Sequence, residues 1–168
     1  LDKESKDALY ETPVTTIMNY DVPVTREGVV ACPGVTGGVL WSSPAYHRDE
    51  KILVISAIDY CSRFTAAAEV EHVPGQLYMG GSTPGVGEAT GWITAIDVES
   101  GAVRWRFQTP LPQVAAITAT AGGLIVSGTQ DGSLLLFDAA SGELLRTIYT
   151  GASIAGGNIS YGVDGKQF

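Results

Sequence analysis

GWITAIDVESGAVRWRFQTP (residues 91–110) and GSLLLFDAASGELLRTIYTG (residues 132–151) are two copies of one unit, 41 positions apart. Gly91 aligns with Gly132, Asp97 with Asp138, Ser100-Gly101 with Ser141-Gly142, and Thr109 with Thr150. Each copy reads as a hairpin. A short apolar run ends at Asp, whose carboxylate accepts turn N–H groups. Three residues intervene, then Gly supplies a positive φ without steric cost, and a second run returns. A D-x-x-x-G hairpin alone is common, but a repeat of roughly 40–50 residues is the length of a four-stranded propeller blade.

A worn third copy opens the chain as LDKESKDALYETP, with Asp2, Glu4 and Ser5 matching Asp97, Glu99 and Ser100. Lys6 replaces the Gly, and Tyr10 stands where Trp105 does. The expected fold is all-β: a propeller fragment of about two complete four-stranded blades with a partial blade at each end. The blade end occupies 1–14, with its outer strand near 8–14. A blade follows over 37–110, with strands near 37–46, 51–59, 91–97 and 102–109 and a long insertion at 62–90. The second blade covers 114–151, with strands near 114–120, 123–129, 132–138 and 143–150, and a further blade starts over 153–168. Propellers close with four to eight blades, so two blades imply a longer polypeptide. The insertion, too long for a blade turn, reads either as a lid or packing loop or as a mobile segment without a role.

Composition agrees with many short strands and Gly-rich turns: 168 residues hold 21 Gly and 8 Pro, with 17% charged residues. The net charge is −8, and Lys and Arg are scattered, Arg104 and Arg106 being the densest pair. No basic stripe for nucleic acid exists, and no apolar run is long enough to span a bilayer.

Several catalytic patterns are missing. There is no G-x-S-x-G, and GVGEATG (85–91) misses G-x-G-x-x-G by one residue, with no helix pattern after it. His47 and His72 sit in polar contexts without metal-ligand spacing and read as surface histidines. Asn158-Ile159-Ser160 fits a glycosylation triplet of the kind that arises by chance. Cys32 and Cys61 show neither CxxC nor zinc spacing. Their spacing leaves open a disulfide, across a hairpin that brings both thiols together, or two separate buried thiols.

Cys32-Pro33-Gly34, Gly37-Gly38-Val39-Leu40-Trp41, Pro44-Ala45-Tyr46 and Ile58-Asp59-Tyr60-Cys61 follow in that order. This string resembles the C-terminal half of the pyrroloquinoline-quinone (PQQ) dependent alcohol dehydrogenases, which are periplasmic eight-bladed propellers, and the likeness runs on through the rest of the chain. The resemblance implies a Cys32–Cys61 disulfide and a periplasmic location. It implies a tryptophan-docking role for Asp97, Gly101, Trp105, Asp138 and Gly142, in which the Trp of one blade packs on its neighbour. Trp105 is then structural, and docking is incomplete because Arg146 and Tyr10 occupy the equivalent positions.

The implied chemistry is alcohol oxidation by PQQ with Ca²⁺ or a lanthanide, an Asp base, and electron transfer to a c-type cytochrome. The metal ligands and the catalytic Asp belong to earlier blades, so no catalytic or metal-ligating residue is expected here. Two cofactor-contacting positions map onto this chain. Leu40 stands where many members have Asn and offers no polar atom; Val114-Ala115-Ala116 replace a W-G-G stretch. Trp41 is the candidate to line the pocket, the alternative being core packing. The second reading of the whole is a non-catalytic PQQ-like propeller that scaffolds envelope assembly.

Overall fold

A computed structural model describes residues 3–5, 7–69 and 72–168. Asp2 and Lys6, on which part of the opening repeat rests, lie outside the described residues. The alternating apolar residues produce two antiparallel sheets. In the first, β1 (Val29–Ala31), β2 (Ala45–His47), β3 (Ile52–Ala66), β4 (Gly81–Ser82), β5 (Gly85–Asp97) and β6 (Val103–Thr109) combine, with β2-β3-β5-β6 forming the blade. The second is the blade β7 (Thr118–Ala119), β8 (Leu124–Gly128), β9 (Ser133–Asp138) and β10 (Leu144–Tyr149). A small hairpin, β11 (Gly162–Val163) with β12 (Lys166–Gln167), follows.

The core lies between the blades. Side chains two apart on a strand share a face, so Ile52 and Val54 of β3, Ile93 and Ala95 of β5 and Trp105 of β6 point one way. They meet Ile117, Ile125, Leu135, Phe137 and Ala139 of the second blade. Full burial of each large apolar side chain is worth about 1.5–3 kcal/mol. On the opposite face of the first blade Val14 packs with Ala57 and Ile96 in a smaller cluster. By contrast every residue of β10 is exposed, including Leu145, Ile148 and Tyr149.

Three expectations about strands are corrected. Residues 8–14 are not a regular strand; Tyr10 Oη and Thr12 Oγ1 instead donate to the carbonyls of Val98 and Gly101, at 3.0 and 2.6 Å. The first strands of the blades, expected over 37–46 and 114–120, are regular only at 45–47 and 118–119. Pro44 lacks the N–H that a ladder needs, and the amides of Ala116 and Ile117 donate instead to the carbonyls of Gly156 and Ser43, although Gly38 still bridges to Ile58.

The third correction concerns 62–90. It is largely a continuation of the blade's own strands, because β3 runs on to Ala66 and β5 starts at Gly85. A register shift between Asp59 and Cys61 keeps the two paired. β1 adds alongside Ser62, Arg63 and Phe64, and β4 alongside Thr65 and Ala66, so among the described residues irregular chain is confined to 67–69, 72–80 and 83–84.

Candidate cofactor-pocket wall

Docking between repeats sets the frame. Asp97 Oδ1 accepts from Ser100 N and Oγ, both at 2.9 Å, and from Glu99 N at 3.1 Å. Asp138 Oδ1 accepts from Ser141 N and Oγ, both at 2.8 Å. These bonds, backbone donors first, hold both carboxyls below the ordinary aspartate value. The turns they close present Gly101 and Gly142, with φ of 75° and 73°. A Cβ on Gly142 would stand 2.5 Å from the Trp105 ring. On Gly101 it would stand 2.4 Å from the ring of Tyr10. Tyr10 therefore does the packing that the departure from Trp had suggested was missing.

Beside this frame, the segment carrying Leu40 and Trp41 is tied down on both sides. Cys32 and Cys61 are joined in a disulfide with their Cα atoms 4.5 Å apart. Cys32 also exchanges both backbone hydrogen bonds with Met18, at 2.9 and 3.0 Å. Gly34 N–H donates to Tyr60 O at 2.6 Å, and Gly38 and Ile58 exchange bonds of 2.8 and 3.0 Å.

Beyond Trp41 the chain meets the second blade. Ser42 Oγ donates to Val114 O, and Ile117 N–H donates to Ser43 O at 3.1 Å. Ala116 N–H in turn donates to Gly156 O at 3.2 Å, and Thr118 Oγ1 to Asn158 O at 2.7 Å. Leu40, Trp41 and the Val114-Ala115-Ala116 stretch, some seventy positions apart, thus lie along one line where successive blades begin. Trp41 is 87% exposed in this chain and belongs to neither core cluster. Leu40 is partly buried. A cleft of about 500 Å³, lined among others by Thr118, Thr120, Tyr161 and Lys166, includes neither residue.

Against a planar quinone, the indole face of Trp41 could meet the plane of the ring. Leu40, Val114, Ala115 and Ala116 offer no side-chain polar atom for its edge. Among the described residues no group of three or more His, Cys, Asp or Glu side chains converges.

A polar cluster escaped the sequence reading. Asp59 Oδ1 accepts from Thr15 Oγ1 at 3.0 Å and Thr16 N–H at 3.1 Å. Its Oδ2 accepts from Trp92 Nε1–H at 2.8 Å and Thr16 Oγ1 at 3.1 Å. The Arg106 guanidinium lies 3.8 Å over the Trp92 ring, and Arg106 Nη2 donates to Val14 O at 2.8 Å. Partial burial opposes the charge of Asp59, but the bonds from Trp92, Thr16 and Thr15 outweigh it and hold its carboxyl below 3.8. The signal was the Asp that ends the apolar run ILVISAID, with Trp and Arg repeated on the facing strands.

A depressed folded-state value means that the stabilisation is complete above the ordinary aspartate value. It is lost as pH falls through the folded value. The unfolding midpoint is therefore expected to stay flat from about pH 7 to 5 and to fall below about pH 4. Asp97, Asp131 and Asp138 act in the same direction. The fall should be shallower in Asp59→Asn, which gains no proton there; equal slopes for the two proteins would refute the assignment to Asp59.

His47 also departs from expectation, because it is buried rather than on the surface. It closes β2 opposite Ile52, and its Nδ1 accepts Glu50 N–H at 3.3 Å.

The family described as outer membrane protein assembly factor BamB matches residues 89–156, the repeat region alone. Curated relatives match more of the chain. It is 32% identical to a quinoprotein ethanol dehydrogenase of Pseudomonas aeruginosa, over 87% of this chain and 26% of that protein. It is 30% identical to a lupanine 17-hydroxylase [cytochrome c] of a Pseudomonas species, over 84% of this chain and 20% of that one. Among solved structures, the quinohemoprotein alcohol dehydrogenase ADHIIG of Pseudomonas putida HK5 superposes with a TM-score of 0.77 at 20% identity. It covers 83% of this chain and 22% of that one, and at that identity the likeness bears on fold. A europium-containing methanol dehydrogenase superposes with a TM-score of 0.75 at 25% identity, over 85% of this chain and 26% of that one. The chain spans about a quarter of the length of the curated relatives it matches. Fold and relatives agree: the chain is similar to one β-propeller segment of the quinoprotein alcohol dehydrogenases.

Proposed function

We propose that this chain is the part of a PQQ-dependent alcohol dehydrogenase that supplies propeller scaffold and one wall of the quinone pocket. The whole protein oxidises a small alcohol and hands the electrons to a c-type cytochrome, as the names of the lupanine 17-hydroxylase [cytochrome c] and a 1-butanol dehydrogenase (cytochrome c) of Thauera butanivorans indicate for those proteins. Its place is the periplasm, where the Cys32–Cys61 disulfide would persist. Among the described residues no helix is long and apolar enough to cross a membrane.

The single observation that carries the reading is the 32% identity to a quinoprotein ethanol dehydrogenase over 87% of this chain. Within the chain, the segment that bears Trp41 is tied by the disulfide and by bonds to Ile58, Tyr60 and Val114, and a fixed indole face suits a planar ligand. Bound PQQ, with Ca²⁺ or a lanthanide held by ligands elsewhere in the polypeptide, supplies the electron acceptor for alcohol oxidation. Trp41 would cover one face of the quinone and exclude water there. Leu40 and Val114 would close the apolar margin, leaving hydrogen bonds to the quinone edge to other parts of the protein.

The full-length protein reconstituted with PQQ and Ca²⁺ is expected to reduce an artificial dye in the presence of short alcohols. Trp41→Ala should raise the PQQ concentration for half-maximal activity about tenfold, the value of one lost aromatic contact with its buried area. A protein that reduces no dye with any alcohol or metal would instead support the scaffold reading. That alternative draws on the assembly-factor match at 89–156 and on the apolar Leu40 and Val114. Against it stands the greater reach of the dehydrogenase match, 87% of the chain.

A further inference from the structure

We infer that Asp59 is the positioning residue for the Leu40–Trp41 wall; this rests on the pocket reading above. The carboxylate lies where three otherwise separate segments meet. Its four hydrogen bonds take two from Thr16, one from Thr15 and one from Trp92 of β5. Arg106 of β6 stacks on that Trp92 and binds the carbonyl of Val14, so β6 joins the same clasp.

Both chain neighbours of Asp59 hold the loop that leads to Trp41. Ile58 exchanges two backbone bonds with Gly38, and the Tyr60 carbonyl accepts from Gly34. The segment that Asp59 grips also reaches that loop, because Met18, two residues after Thr16, exchanges two backbone bonds with Cys32. Residues 32–38 are therefore held from both sides by strands that one carboxylate ties together. The register shift between Asp59 and Cys61 means that the regular β3–β5 ladder does not fix this point by itself. Side-chain hydrogen bonds to a charge are the stronger kind, and here they set where the loop begins and how it approaches Trp41.

Asp59→Asn keeps the shape and one acceptor oxygen but faces the remaining donors with an NH₂ group. Trp92→Phe removes only the Nε1–H donor and leaves a ring under Arg106. In the quinone-free, metal-free full-length protein, amide hydrogen exchange at Gly34, Gly38 and Ile58 should quicken about tenfold in Asp59→Asn. It should quicken by a smaller factor in Trp92→Phe, and the amides of β8 and β9 should keep their wild-type rates in both. A PQQ titration followed by tryptophan fluorescence should show half-saturation shifted upward about tenfold in Asp59→Asn, with kcat at saturation within about twofold of wild type.

Unchanged exchange at the three amides would overturn the proposal, and so would acceleration spread evenly over β8 and β9. Quickened loop exchange with an unmoved titration would also overturn it, since the clasp would then not act on the wall. The pocket reading has its own test: an unmoved titration in Trp41→Ala removes that reading whatever Asp59 does.

Discussion

Trp105→Ala is expected to lower the unfolding free energy by about 3–5 kcal/mol, the range for truncating a buried aromatic side chain. Trp105 is only 8% exposed and, with the partly buried Phe107, carries β6 onto the second blade. Its ring stacks on Phe137 with centroids 6.0 Å apart and lies against Gly142, where even a methyl group would clash. Its Nε1–H donates to the carbonyl of Ala139 at 2.9 Å. Alanine would leave a cavity between the blades and a buried carbonyl without its donor, and the two losses act together. Trp105→Phe keeps most of the ring and should cost clearly less. Urea unfolding monitored by circular dichroism measures both; a loss below about 1 kcal/mol for the alanine variant would show that the blades do not depend on this contact. Tyr10, which packs on Gly101 in the equivalent way, is 41% exposed, so its truncation should weigh less.

The second large effect concerns Cys32 and Cys61. Their bridge closes a loop over a sequence separation of 29, and the chain-entropy estimate for such a loop is about 3.6 kcal/mol. The oxidised protein should exceed the Cys32→Ala, Cys61→Ala double variant by about that amount in chemical unfolding. The loop contains 38–41, so loosened exchange around Gly38 should accompany the loss. Equal stability of the two proteins would mean that the backbone bonds of Cys32 with Met18, and of Gly34 with Tyr60, are sufficient. Because Cys32 is 1% exposed, reduction of the native protein should be slow until the surrounding strands open.

Much of the architecture was legible because it is local. The D-x-x-S-G turns could be read directly, since an Asp accepting the N–H two and three residues on and a Gly at positive φ are properties of a few consecutive residues. The alternation in ILVISAID and GSLLLFD likewise marked strands with two unequal faces. The excursion at 62–90 was misread because its Gly- and Thr-rich sequence carries little alternation. It becomes strand only because β3 and β5, already paired below, carry the ladder past the register shift. His47 was misread for a related reason: its polar neighbours said nothing about which face of β2 the pairing with Ile52 would turn inward.

The docking positions show both sides. The resemblance marked Gly101, Trp105 and Gly142, and the repeat set Tyr10 at the position of Trp105, but only the structure shows the Tyr10 ring packed on Gly101, because that contact spans about ninety positions. The same holds for the Asp59 cluster, whose donors come from residues 15, 16 and 92.

By itself, then, the sequence determined the unit of construction: short antiparallel strands, Asp–Gly turns and a 41-residue period, each dictated by neighbours in the chain. Only the tertiary structure decided what those units hold in place. Trp41 stands exposed beside the Val114 stretch, and Asp59 grips Thr15, Thr16 and Trp92. The physical reason is range. Turn chemistry and strand alternation act over two to four residues, whereas hydrogen bonds and ring contacts across a blade join side chains whose separation along the chain has no pattern to read.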